Sequence, residues 1–135
     1  AEPTLDVQQL WRRILFNLLI TNTDDHLWNV GVLHVGQGKW RLAPAFDLNT
    51  IPERVRESKT CLSEDIGPVN SLEMLLDYSE YFALARSEAR AEAASMAATL
   101  KQWKTVATSR DVGLTERELA AFEPAFEHEA AEAAR

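Results

Sequence analysis

Between residues 5 and 20 the apolar side chains Leu5, Leu10, Trp11, Ile14, Leu15, Leu18 and Leu19 recur mostly at steps of three and four. That spacing places them along one face of a helix, while Gln9, Arg12 and Arg13 fall away from it. A stripe this broad has to be covered by other elements, so the segment is expected to be the central helix of the fold. The pattern stops at Thr21-Asn22-Thr23-Asp24-Asp25-His26-Leu27-Trp28-Asn29, and apolar character resumes at Val30. A turn calls for Asn, Asp and Thr, because their side chains bond to nearby backbone. It does not call for two adjacent carboxylates beside a histidine.

The rest of the chain reads as mostly helical with one small hairpin. Apolar segments at 30–35 and 39–43 flank Gly36-Gln37-Gly38, a hairpin signal, and Pro44 ends the second strand. Residues 48–70 are irregular, with Pro52, Gly67 and Pro68 as breakers and a short strand expected near 59–63. Ser71 is placed to cap a helix reaching about Phe82, and an Ala-rich helix is expected over 86–109, ending at Gly113. Thr115 and Glu118 form a T-x-x-E capping box ahead of a last helix. Six Glu and one Arg lie between 116 and 132, so that helix opposes its own dipole near its end and should fray there. Trp11, Trp40 and Trp103 read as core or interface aromatics, His34 as packing, His128 as solvated and Cys61 as structural.

The totals narrow the function. At 135 residues the chain is the size of one domain, and 46% hydrophobic content is that of a globular protein. A formal charge of −7 argues against direct nucleic-acid binding, which needs a basic surface to displace counterions from phosphates. Carboxylates suit a nucleotide that arrives with Mg²⁺. The single cysteine, Cys61, excludes an internal disulfide and a thiolate zinc cluster. With neither a leader pattern nor an apolar run of membrane-spanning length, the expected location is the cytoplasm. The chain opens on Ala rather than Met, which is expected of a piece of a longer polypeptide.

Two motifs carry the chemistry. Asp24 and Asn29 stand in the form D-x-x-x-x-N, and Asp47 follows the hairpin in Leu42-Ala43-Pro44-Ala45-Phe46-Asp47. Phosphoryl transfer needs one carboxylate to take or orient the proton of the attacking hydroxyl. It also needs an Asn and a second Asp to hold Mg²⁺ against the nucleotide phosphates. A hairpin brings its two ends together, so Asn29 and Asp47 could reach one metal across 18 residues of sequence.

These motifs resemble those of the HipA family, protein kinases of bacterial toxin–antitoxin modules. Members carry T-D-x-H-x-[KR]-N, a hairpin and P-x-[YF]-D. Here the residues are Thr23-Asp24-Asp25-His26-Leu27-Trp28-Asn29 and Pro44-Ala45-Phe46-Asp47. The stretches 101–107 and 113–122 also resemble the helical end of that family. The resemblance implies Asp24 as catalytic base, Asn29 and Asp47 as Mg²⁺ ligands, and His26 and Phe46 beside the ATP. It implies a mainly α, kinase-like C-terminal lobe over residues 1–135, acting on Ser or Thr of a protein substrate. It also implies an antitoxin partner bearing a helix-turn-helix. Two departures stand out. Trp28 occupies the position of a Lys or Arg, replacing a cation with a single indole donor. The chain also carries neither a Gly-rich phosphate loop nor a strand lysine, so the lobe is expected to be inactive without a nucleotide-covering half.

Plainer readings compete. Asn22, Thr23, Asp24 and Asp25 could form only a solvated turn, His26 could tie the loop together, and Asp47 could cap the segment beginning at Leu48. A metal-dependent phosphohydrolase built on Asp24, Asp25 and His26 is a second enzymatic reading, though three histidines in all are few for a dinuclear site. A non-catalytic helical module that binds a partner is a third.

Overall fold

The computed structural model describes residues 2–52 and 58–135. The order is α1 (Pro3–Leu19), a 3₁₀ turn (Leu27–Asn29), β1 (Val32–His34), β2 (Trp40–Leu42), α2 (Leu72–Asp77), a second 3₁₀ turn (Ser79–Phe82), α3 (Arg86–Leu100), α4 (Trp103–Ala107), α5 (Glu116–Phe126) and α6 (Glu129–Ala133). The mainly helical architecture with one small hairpin agrees with the expectation from sequence.

α1 is the hub. Pro3 enters its first turn, where a missing N–H is harmless, and Asp6 lies at the positive end of the dipole. Its Trp11, Ile14, Leu15 and Leu19 form the core with Leu72, Leu75, Leu76, Leu84 and the alanines of α3. Ala89, Ala93 and Ala97 are buried at four-residue spacing, so the Ala-rich stretch lets two helix backbones approach closely. Residues beside the apolar stripe are also engaged. The Trp11 indole donates to the Leu75 carbonyl at 3.1 Å, Gln8 donates to the Ala83 carbonyl, and Arg12 pairs with Glu92 of α3 at 2.6 Å. Arg13 donates to the Ala43 carbonyl at the base of the hairpin, and Asp6 accepts from the Leu42 N–H at 3.1 Å.

The hairpin is short, with Val32 opposite Leu42, Leu33 opposite Arg41 and His34 opposite Trp40. Gly36, Gln37 and Gly38 all have positive φ, which accounts for two glycines in three residues. Both strands are largely exposed, so Trp40 is a surface aromatic (56% exposed) and not a core one; its ring leans on that of His34.

Several boundaries differ from expectation. The helix capped by the Ser71 hydroxyl ends at Asp77 and passes into the 3₁₀ turn, and the strand near 59–63 is a single bridge between Cys61 and Pro68. Cys61 itself is exposed. The Ala-rich helix breaks at Lys101 and Gln102, and the break turns Trp103 onto Phe126, whose ring stacks on it at 4.5 Å. Gly113 stops the chain with positive φ, donating to the Ser109 carbonyl, and the Thr115–Glu118 capping box forms as read. The last helix divides: Pro124 lacks a backbone donor, α5 ends at Phe126, and His128 is extended before α6 begins. His128 is consequently buried, correcting its expected solvation. Residues 53–57 of the irregular segment lie outside the described residues.

Two stability measurements test this packing. Leu15 and Leu5 share the apolar stripe, yet Leu15 is fully buried and Leu5 is 56% exposed. Leu15→Ala should destabilise by about 2–5 kcal/mol and Leu5→Ala by less than about 0.5 kcal/mol in denaturant unfolding; equal effects would contradict α1 as the hub. The Glu92 carboxyl is held below its ordinary range, first by the Arg12 hydrogen bond. A depressed acid stabilises above its unfolded-state value and loses that contribution as pH falls through the folded-state value. Glu92→Gln should therefore lose up to about 1 kcal/mol at neutral pH, with the gap to the parent closing as pH drops below about 4. A gap that persists in acid would rule the ion pair out as its source.

Candidate active site

The site begins where α1 stops. The Asn22 N–H donates to the Asn17 carbonyl at 2.8 Å and the Thr21 N–H to the Leu18 carbonyl at 3.4 Å, the two bonds of a Schellman termination. The left-handed residue of that motif is usually Gly; here it is Thr21, with φ of 55°. A β-branched residue is strained there, and the surroundings hold it. The Thr21 hydroxyl donates to the Ala125 carbonyl at 2.8 Å, and its carbonyl accepts from the Ile51 N–H at 3.1 Å. The Leu19 carbonyl, left over at the helix end, lies 3.1 Å from His128 Nε2; a carbonyl only accepts, so that nitrogen carries the proton.

Beyond this stop the two adjacent aspartates part company. Asp25 is buried, and its carboxylate accepts from the Ser58 hydroxyl at 2.5 Å and the Lys59 N–H at 2.7 Å. Its carbonyl accepts from the Thr60 hydroxyl. Asp24 faces solvent with its side chain 43% exposed, and its Oδ1 takes the Lys59 ammonium. His26 Nε2 lies 3.5 Å from the same oxygen, while His26 Nδ1 is buried with no hydrogen-bond partner among the described residues. The Asp24 carboxyl is held below its ordinary value, chiefly by the Lys59 hydrogen bond, then by the charges of Lys59 and His26. Asn22 is buried and makes the expected turn, its Oδ1 accepting from the Asp24 N–H at 3.3 Å.

The D-x-x-x-x-N spacing has a direct geometric meaning. Asn29 Nδ2 donates to the Asp24 carbonyl at 2.8 Å and closes the loop. No described residue donates to the Asn29 side-chain oxygen, which is left to act as an acceptor. The hairpin then returns the chain: the Ala43 N–H donates to the Gly31 carbonyl at 2.8 Å, and Phe46 lies over Gly31 so closely that a Cβ there would meet its ring at 3.3 Å. Gly31 thus lets the Pro44–Asp47 segment approach the loop, and the two motifs become neighbours through residues 31 and 46. Asp47 adopts positive φ (54°), and its carboxylate accepts from Asn49 at 2.8 Å. No hydrogen bond links Asp47 to Asn29. Phe46 is half-exposed, and Trp28 is 90% exposed.

Asp24, His26 and Asn29 therefore form one cluster, and Phe46 meets the chain just beyond it, at Gly31. Oxygen donors from an Asn and an Asp suit Mg²⁺, which usually takes one or two protein ligands and draws the rest from phosphate and water. Among the described residues no group of three or more His, Cys, Asp or Glu side chains is placed to hold a metal by itself. A cavity of about 300 Å³ lies behind the loop, between α1, residues 69–73 and α6, with Asn22, Asp25 and His128 in its wall. None of Asp24, His26, Asn29, Phe46 and Asp47 lines it. Sequence reasoning missed Lys59, which lies in no motif, and the structural character of Asp25, which occupies an unspecified position of the first motif. Among the described residues no helix is long and apolar enough to cross a membrane.

A family model described as HipA-like C-terminal domain matches residues 1–121. No curated protein and no solved structure gave a match.

The division between the two aspartates is measurable. Asp25→Ala should destabilise by about 1–3 kcal/mol, because it strips a partly buried hydroxyl and a backbone N–H of their acceptor. Asp24→Ala should leave the unfolding midpoint nearly unmoved. The assignment of Asp25 to structure would not survive a midpoint that shifts with Asp24 and not with Asp25.

Proposed function

The chain belongs to the HipA-like C-terminal domain family, and we propose that it is the catalytic-loop-bearing lobe of an ATP- and Mg²⁺-dependent serine/threonine protein kinase. The observation that supports this reading is the Asn29–Asp24 closure of the loop, with the Phe46 ring brought against Gly31 just beyond it.

In this reading Asp24 Oδ2, to which no described residue donates, orients the substrate hydroxyl and receives its proton. Asn29 Oδ1 and the Asp47 carboxylate would hold Mg²⁺, which when bound neutralises charge on the nucleotide phosphates. Asn29 has a second duty, since its amide fixes the backbone of the residue that carries the base. His26 and Phe46 line the nucleotide side. Asp47 has positive φ; outliers of this kind are often kept where a side chain must be positioned. The substrate is a protein, and the partner is an antitoxin with a helix-turn-helix, which would meet DNA in place of this acidic chain. The setting is the cytoplasm. The domain is a lobe, so turnover requires a phosphate-covering half from the same polypeptide or a second chain. A nucleotide cleft needs two walls, which accounts for site residues on an open face away from the cavity.

A partner-binding module without chemistry is the second reading, favoured by exposed apolar side chains at Leu27, Trp28, Val32 and Trp40. A dinuclear phosphohydrolase fits poorly, because the Asp25 carboxylate is already taken by Ser58 and Lys59.

In the complete protein, Asp24→Asn and Asp47→Asn should each lower phosphoryl transfer by about 10²–10⁴-fold with the fold intact. Transfer of radiolabelled phosphate at parental rates by either variant would end the kinase reading and leave the partner module ahead.

A further inference from the structure

The kinase reading leaves a charge unaccounted for. Trp28 stands in the loop, and its indole projects into solvent without charge. Asp24 and Asp47 are both acidic, Asp25 follows Asp24 directly, and the chain as a whole is at −7. A triphosphate approaching such a loop needs a cation from somewhere.

We propose that Lys59 supplies this cation, holding the Asp24 carboxylate in place and offering its remaining ammonium protons to the transferring phosphoryl group. The inference rests on the kinase reading. Its evidence is the way residue 59 is mounted. The Lys59 N–H donates to buried Asp25, and Ser58 and Thr60 on either side donate to the same residue through their hydroxyls. Three consecutive residues are therefore pinned against the loop, and the lysine stem starts next to Asp24. An ordinary surface lysine has no such footing, and its ion pairs are loose. The ammonium has three donors; one goes to Asp24 Oδ1, and no other described acceptor takes the remaining two. Lys59 is also the lysine or arginine that contacts Asp24 among the described residues.

The geometry divides the work on Asp24 between its two oxygens. Oδ1 is anchored by Lys59, and Oδ2 stays open to the hydroxyl. In the transfer, the hydroxyl oxygen bonds to the γ-phosphorus as the bond to the bridging oxygen breaks. The electron pair leaves with ADP, and the hydroxyl proton passes to Asp24. Lys59 takes no proton in this step. It is a positioning residue for the base and a fixed positive charge beside the phosphoryl oxygens, a task that pre-oriented donors perform best.

The test has two arms. In the first, the side-chain ammonium of Lys59 and the amides of Asn29 and Asp47 are followed by NMR in the 135-residue chain and in the complete protein. Mg²⁺ with ATP and Mg²⁺ with ADP are titrated separately. The Lys59 signal should move with ATP and far less with ADP, while Asn29 and Asp47 respond to both. Movement of Asn29 and Asp47 with an indifferent Lys59 would overturn the inference and leave the kinase reading standing. Silence at all three in the complete protein would overturn both. In the second arm, Lys59→Met and Lys59→Arg are compared with Asp24→Asn in the complete protein. Lys59→Met should lower kcat by about 10²-fold with KM for ATP within about twofold, and Lys59→Arg should recover most of the loss. Parental kcat in Lys59→Met beside an inactive Asp24→Asn would remove Lys59 from the mechanism without touching the base.

Discussion

The buried carboxylate of Asp25 is the constraint on which the site depends. A charge taken out of water must be met by donors, and here they come from a segment more than thirty residues away: the Ser58 hydroxyl and the Lys59 N–H. Satisfying that requirement has three structural results. It fixes the rotation of the loop, so that the next-door Asp24 points outward. It brings residues 58–60 back against the loop. It also places an ammonium group on Asp24. The outward residue can afterwards vary in protonation or bonding without disturbing the core, because the inward one carries the structural burden.

A second set of contacts ties the far end of the chain to the same place. The strained left-handed Thr21 persists because its hydroxyl is held by the Ala125 carbonyl in α5, and the helix end it follows is capped by His128. α1 is thus terminated by residues over a hundred positions later. The break between α5 and α6 that Pro124 initiates is what allows His128 to leave a solvated helix surface and enter this junction. The acidic C-terminal region therefore contributes to the geometry of a loop it does not contain. Loosening α5 or α6 should be felt first at Thr21, and through it at the direction in which Asp24 leaves the helix.

How much of this was legible depended on the range of the interaction. The period of Leu10, Trp11, Ile14, Leu15, Leu18 and Leu19 is local, and it located α1 to within two residues at its start and one at its end. Ser71, the Thr115–Glu118 box and the Gly36-Gln37-Gly38 turn are local as well, and each formed where its chemistry placed it. Buried position is not local. His128 looks solvated from its glutamate neighbours, and Trp40 reads as a core or interface aromatic, yet burial of each is decided by what packs over it. The division of labour between Asp24 and Asp25 was invisible for the same reason, because it is set by residues 58–60. The split at Lys101–Gln102 has no Gly or Pro to announce it; its structural correlate is the stacking of Trp103 on Phe126. Pro124 was a readable signal of the other break.

The exposure of the candidate residues has a physical consequence for any chemistry done there. In contact with bulk water, unit charges a few ångströms apart interact by about 1 kcal/mol, and the same charges gain several-fold when water is excluded. If Asp24, Lys59, Asn29 and Asp47 act together as the kinase reading has it, their mutual attractions are weak while the loop is open to water. Covering the loop with a second lobe would lower the local dielectric without moving any of these groups, and it would bury apolar side chains now in solvent, among them Phe46 and Trp28. On the kinase reading, one event supplies both the binding energy and the electrostatics: the apolar hairpin face draws the cover on, and the cover makes the preplaced charges effective. On that reading the lobe folds by itself and stays inert until it is closed.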